Sequence, residues 1–126
     1  MKEKVHIERT LKSPEVFLEK ENGIISLKGS SILEDPLPFY DPLFEWIEDY
    51  MTDPDDTIVD IELEYFNTAS AKIILSLFKK ISKVKEMGKE LKINWSYTED
   101  DEIIRDSGFD FAKLARLDFN MIEKAC

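Results

Sequence analysis

The stretch Ile58-Val59-Asp60-Ile61-Glu62-Leu63-Glu64-Tyr65-Phe66-Asn67-Thr68-Ala69-Ser70-Ala71-Lys72 passes from an alternating strand into an amphipathic helix with almost no connector. Val59, Ile61, Leu63 and Tyr65 alternate with Asp60, Glu62 and Glu64, the period-two pattern of a strand with one face on a core. From about Thr68 to Met87 the spacing changes to that of a helix. Ala71, Ile74, Leu77, Phe78, Ile81 and Val84 form its core stripe, and Gly88 is its stop. Thr68 thus falls at a strand-to-helix turn, where unpaired N–H groups and the positive end of the helix dipole gather. A hydroxyl there serves either as an N-cap or as a phosphate acceptor, because the same groups stabilise a phosphoryl group.

Working outward, Leu91, Ile93, Trp95 and Tyr97 alternate with Lys92, Asn94 and Ser96, and Ala115, Leu117, Phe119 and Met121 with Arg116, Asp118 and Asn120. Strands of a doubly wound sheet would be apolar throughout. These predict an α/β fold in which helices pack mainly on one face of a mixed sheet. Strand 58–66, helix 68–87 and strand 91–97 read as a right-handed crossover between parallel strands. Val16–Lys20 and Ile24–Lys28 flank Glu21-Asn22-Gly23, a hairpin signal. Asp41-Pro42 predicts a helix start, with Leu43, Trp46, Ile47, Tyr50 and Met51 as its stripe. A short helix is expected over Glu99–Ser107, before Gly108, and an irregular loop over Gly29–Tyr40. Residues 1–126 are expected to form one domain, with 1–12 a loosely ordered arm or an edge strand.

With 27 acidic and 17 basic residues, the chain carries a net charge of −10. That acidity argues against nucleic acid and anionic membranes as partners. Its single cysteine, Cys126, cannot form a disulfide within the chain, which fits a reducing compartment. No apolar run reaches spanning length and no leader pattern is present at Met1–His6, so no membrane insertion and a cytoplasmic location are expected.

Catalytic chemistry finds little support. His6 is the sole histidine, which leaves a nucleophile without an oriented base. Asp53, Asp55 and Asp56 open like a calcium loop, but Ile58 stands where that loop needs glycine. The four glycines are scattered and form no phosphate-cradling loop, so neither a metal nor another cofactor is expected. Asp60, Glu62 and Glu64 read as a surface ladder paired with Lys92 on the neighbouring strand. Lys72, Ser76, Lys79 and Lys83 follow Thr68 at successive helical spacings, a local basic strip that is either a solvated face or a docking surface. The phenylalanines and tyrosines around 39–50 fit either a core stripe or the wall of an apolar pocket. The second option makes a small apolar-ligand (lipid) carrier the alternative function.

Tyr65-Phe66-Asn67-Thr68-Ala69-Ser70-Ala71-Lys72 resembles the phosphorylation motif of the SiaC family of bacterial regulatory phosphoproteins. Gly29-Ser30-Ser31 with Glu34-Asp35, Phe39-Tyr40 through Tyr50, Asn94-Trp95-Ser96-Tyr97 with Glu99–Glu102, and Leu117–Asn120 extend the resemblance over most of the chain beyond residue ~20. The family is similar to STAS domains, including anti-sigma factor antagonists, in which a Ser or Thr at this junction is phosphorylated. The resemblance implies a STAS-like fold and Thr68 as phosphoacceptor, with Ser70 the alternative. Asn67 stands where the antagonists usually carry Asp. It also implies a non-enzymatic switch with three partners: a Ser/Thr kinase of histidine-kinase-like ATPase fold, a PP2C-type phosphatase, and an effector such as a diguanylate cyclase. The effector would be bound and activated by the unphosphorylated form. Asn67, Thr68, Ser70, Lys72, Ser76, Lys79 and Lys83 are the expected partner-binding residues.

Overall fold

A computed structural model describes residues 2–126. Six strands form one sheet in sequential order: β1 (Lys4–Ile7), β2 (Glu15–Glu19), β3 (Ile24–Ser31), β4 (Thr57–Phe66), β5 (Leu91–Thr98) and β6 (Phe119–Lys124). β1, β2 and β3 pair antiparallel, whereas β3, β4, β5 and β6 are parallel neighbours. Each parallel step carries a helical crossover: α1 (Leu37–Tyr50), then α2 (Thr68–Ile81) with the short α3 (Lys83–Glu86), then α4 (Glu102–Ala115). Such crossovers are right-handed, and here each moves to the next strand in the same direction, so the helices fall on one face.

The alternation decides which side of each strand meets them. Ile61, Leu63, Ile93, Trp95 and Leu117 are buried, and Phe119 packs against the same core, as expected. Asp60, Glu62 and Lys92 stay on the open face. Trp95, Phe111 and Phe119 surround Phe78 with ring centroids 4.8 to 6.3 Å away. Burying each such side chain contributes about 1.5–3 kcal/mol. The 24–28 strand and its hairpin partner pair across Glu21-Asn22-Gly23, with Gly23 at φ +62°. The N-terminal segment supplies an edge strand, β1.

Four boundaries differ from the sequence expectation. Helix α1 begins at Leu37 rather than after Asp41, so the expected 29–40 loop is part strand and part helix. Pro38 occupies a first-turn position that needs no N–H, and Pro42 removes only the bond to the Pro38 carbonyl. The long helix breaks at Ser82, whose hydroxyl donates to the Lys79 carbonyl at 2.6 Å and competes with the helix bond there. Helix α4 runs through Gly108 to Ala115 instead of stopping before it, and the last strand begins at Phe119 rather than Ala115. Gly108 is a packing glycine: a Cβ there would lie 2.5 Å from Trp95 Cδ1. The helix ends on Arg116 in the left-handed conformation (φ 57°).

The acidic ladder also has different partners. Asp60 accepts from Asn94 Nδ2 at 2.7 Å, Glu62 pairs with Lys124 at 2.9 Å, and Glu64 pairs with Arg9 at 2.7 Å. Lys92 lies opposite Ile58, two residues short of Asp60 in the register.

Candidate functional site: the start of helix α2

Strand β4 enters the site through a register shift. Leu63 faces Gly29 and Tyr65 faces Ser30, so Glu64 is an extra residue against β3. A bulge of this kind reverses the alternation beyond it. Phe66 therefore turns inward, 6.5 Å from Trp95 and 5.6 Å from Phe111 between ring centroids, and Tyr65 points outward with 58% of its surface exposed. Strict alternation placed Tyr65 in the core. The bulge puts it on the surface beside the strand-to-helix turn instead.

Asn67, not Thr68, caps α2. Its backbone is extended (φ −88°, ψ 174°), and its Oδ1 accepts from the Ser70 N–H at 2.9 Å. The other end of the amide, Nδ2, donates to the Leu33 carbonyl at 2.9 Å, and the Asn67 N–H donates to Ser31 O at 3.0 Å. Asparagine suits this position because it accepts for the helix and donates to the loop at once, which aspartate cannot. Thr68 follows as the first helical residue and is exposed. Its hydroxyl is in none of the hydrogen bonds among the described residues. The N–H groups of Thr68 and Ala69 belong to the unpaired first turn, so the helix end presents donors and positive dipole next to that hydroxyl.

Ser70 has the opposite environment. It is fully buried, and its Oγ accepts from Ser31 Oγ at 2.8 Å. Ser31 in turn lies 2.7 Å from the Tyr40 hydroxyl. With the Ser31 proton committed to Ser70, Tyr40 is the donor of the remaining bond. Burial pushes the Tyr40 phenol above its ordinary pKa. Three hydroxyls thus join the end of β3, the first turn of α1 and the start of α2 beneath Thr68. No local pattern links residues 31, 40 and 70: sequence reasoning did not single out the Ser31 and Tyr40 hydroxyls, and it expected Ser70 as the alternative acceptor and a partner contact.

Lys72, Ser76 and Lys79 are exposed on α2, and Lys83 is exposed at the start of α3. Ser76 Oγ donates back to the Lys72 carbonyl at 3.2 Å. Among the described residues the three lysines form no ion pair. The neighbouring Lys80 does, with Glu48 of α1, and holds that carboxyl below its ordinary pKa. Of the seven residues expected to meet partners, six are at least partly accessible, and Ser70 is sealed.

An uncharacterised protein of Pseudomonas aeruginosa (strain UCBPP-PA14) is 22% identical over 108 residues, covering 85% of this chain and 86% of that protein. The crystal structure of apo-SiaC from Pseudomonas aeruginosa matches at a TM-score of 0.83 and 21% identity, over 99% of this chain and all of that one. SiaC from the same organism, in a crystal structure with the diguanylate cyclase SiaD that it activates, matches at 0.88 and 21% identity, over 95% and 99% of the two chains. At that identity the solved structures establish the fold, a mixed sheet with one-sided helices. The model of the SiaC family regulatory phosphoproteins matches residues 7–124, and the chain belongs to that family.

Proposed function

We propose that this protein is a non-enzymatic phospho-switch whose acceptor is the Thr68 hydroxyl. The observation that carries the reading is the contrast between two hydroxyls two residues apart. Thr68 stands exposed on the first turn of α2, and Ser70 is buried against Ser31. A kinase must bring the acceptor oxygen in line with the transferred phosphoryl group. Thr68 meets that demand in the folded chain, whereas Ser70 would have to leave its hydrogen bond and unwind the helix start. Once attached, the phosphoryl group brings about −1.5 to −2 charge to a helix N-terminus, where dipole and free N–H groups favour it.

The chemistry is supplied in trans, by a kinase of histidine-kinase-like ATPase fold and a PP2C-type phosphatase. The effector is a diguanylate cyclase, bound and activated by the unphosphorylated form. Support for the effector is the shared family and fold, since SiaC of Pseudomonas aeruginosa is the activator of the cyclase SiaD. The Lys72, Ser76, Lys79 and Lys83 strip runs away from Thr68 and provides a docking surface for an acidic face of the kinase or phosphatase. Such a system belongs in the cytoplasm.

The carrier alternative loses its motivation. Tyr40, Trp46 and Tyr50 are buried in the core, and Trp46 stacks on Tyr50 at 5.2 Å between ring centroids. The aromatic density of 39–50 is a helix packing on its sheet. Intact mass after co-expression with the kinase tests the switch: one added phosphate on wild type and none on Thr68→Ala is the expected result.

A further inference from the structure

Strand β1 is one edge of the sheet, and half of its backbone groups have no ladder partner there. The Lys20 N–H donates to the Glu3 carbonyl at 2.8 Å, which marks Glu3 and Lys20 as a hydrogen-bonded pair of the antiparallel ladder. Such pairs alternate, so Val5 and Ile7 also turn their N–H and C=O groups toward β2. Lys4 and His6 turn theirs outward. Charged side chains on an edge strand commonly guard it against pairing. Here Lys4 leans back over β2 to Glu19 at 3.6 Å, and His6 to Glu15 at 3.2 Å, which leaves the edge open. On the other face, Val5 and Ile7 share the helix side with Leu18 but are only half-buried. A groove of about 470 Å³ runs between them and Leu43 and Trp46 of α1. At one end Trp46 Nε1 donates to the Lys2 carbonyl at 2.9 Å.

Charge on the α1 bank defines the occupant. Glu45 and Asp49, one helical turn apart, line the groove, are exposed, and form no ion pair among the described residues. Of the nearby basic side chains, Lys4 and His6 lie on the opposite face of β1, and Lys2 stands at the end of the groove. We propose that β1 accepts an added strand from a partner protein, an extended segment whose helix-facing positions carry apolar residues and Lys or Arg by turns. Its backbone would bond to the outward N–H and C=O groups of Lys4 and His6, the edge-strand mode of peptide recognition. Every second side chain would hang over the groove. The apolar ones would cover Val5, Ile7 and Trp46. The basic ones would lay their methylene stems on the same surface and reach Glu45 and Asp49 with their charged heads. A second copy of this chain is disfavoured, because two β1 strands paired about a two-fold axis would turn the Glu45 and Asp49 of both copies toward each other. Three strand spacings, about 14 Å, separate β1 from β4, the strand that leads into Thr68, so this surface is distinct from the phosphoacceptor turn.

The probe is a short peptide, blocked at both ends, with valine and arginine by turns at every second position and serine between them. Titrated into the isotope-labelled full chain, it should shift the amide signals of Lys4 and His6 and the indole signal of Trp46. A version with glutamate in place of arginine should bind about tenfold more weakly. His6→Pro removes an outward N–H and no bond to β2, a change that an edge strand tolerates. It should keep the unfolding midpoint and weaken binding about tenfold. His6→Ser, which retains the N–H, should bind as wild type. Glu45→Lys with Asp49→Lys should lose the arginine peptide and gain the glutamate one, a result that stands even if His6→Pro unfolds. Absence of shifts at these amides overturns the site. Equal affinity for the two peptides, or full affinity for the arginine peptide in the charge-reversed pair, overturns its basic preference. Full affinity in a folded His6→Pro overturns strand addition. Self-association through the same amides without peptide gives the edge to a second copy and overturns the proposal.

Discussion

The Oγ atoms of Ser31 and Ser70 lie 2.8 Å apart although 39 residues separate them in sequence. That bond joins the C-terminal end of β3 to the first turn of α2 and takes one of two neighbouring hydroxyls out of solvent. The other, on Thr68, is left presented. On the proposed reading, that packing is what would restrict a kinase to a single acceptor.

Stability separates the roles of Asn67 and Thr68. Asn67→Ala removes the cap of α2 and should cost about 1 kcal/mol in urea unfolding. Thr68→Ala removes an exposed hydroxyl with no protein partner and should fall within about 0.5 kcal/mol of wild type. Equal losses in the two variants would mean that Thr68 also supports the helix end.

These residues also show what a sequence can convey. Alternation in 58–63 and 91–97 is local, so the one-sided sheet was legible. The outward turn of Tyr65 was not, because a bulge arises from pairing with Gly29 and Ser30 of another strand. Helix α4 read as short because glycine commonly ends a helix, whereas Gly108 answers to Trp95 across the packed interface. Thr68 was found as a candidate from the strand-to-helix junction. The burial of Ser70 and the capping by Asn67 depend on Ser31 and Leu33, which no periodicity connects to them.

Gly108→Ala offers a direct check of that contact. The added Cβ would meet Trp95 Cδ1 at 2.5 Å and Met121 Cε at 2.8 Å. Alanine is the better helix former by about 1 kcal/mol, yet overpacking of this kind costs about 1–3 kcal/mol. We expect a net loss of stability in chemical denaturation. A gain would show that Trp95 has room to move.

Alkaline pH should expose the buried phenol. The folded protein holds the Tyr40 proton more tightly than the unfolded chain, whose value is near 10.0. The resulting stabilisation is complete below that pH and is lost as pH rises through the higher folded value. Tyr40→Phe should be less stable than wild type near neutrality by about 1 kcal/mol, the worth of a hydrogen bond. The gap should narrow above pH 10. A gap that stays constant from pH 8 to 11 would contradict a buried, proton-holding Tyr40.

Charge reversal of the α2 strip distinguishes docking from solvation. Lys72→Glu, Lys79→Glu and Lys83→Glu together should slow phosphorylation or dephosphorylation of Thr68. Exposed changes of this kind leave stability within about 0.5 kcal/mol each. Wild-type rates with both enzymes would return the strip to a solvated face.

The central claim is the identity of the acceptor, and phosphosite mass spectrometry after reaction with the cognate kinase measures it most directly. Wild type should carry one phosphate, on Thr68. Thr68→Ala should carry none, and Ser70→Ala, if it stays folded by circular dichroism, should still be labelled at Thr68. Phosphate on Thr68→Ala at the wild-type level, or on Ser70 in the folded wild type, would contradict the account.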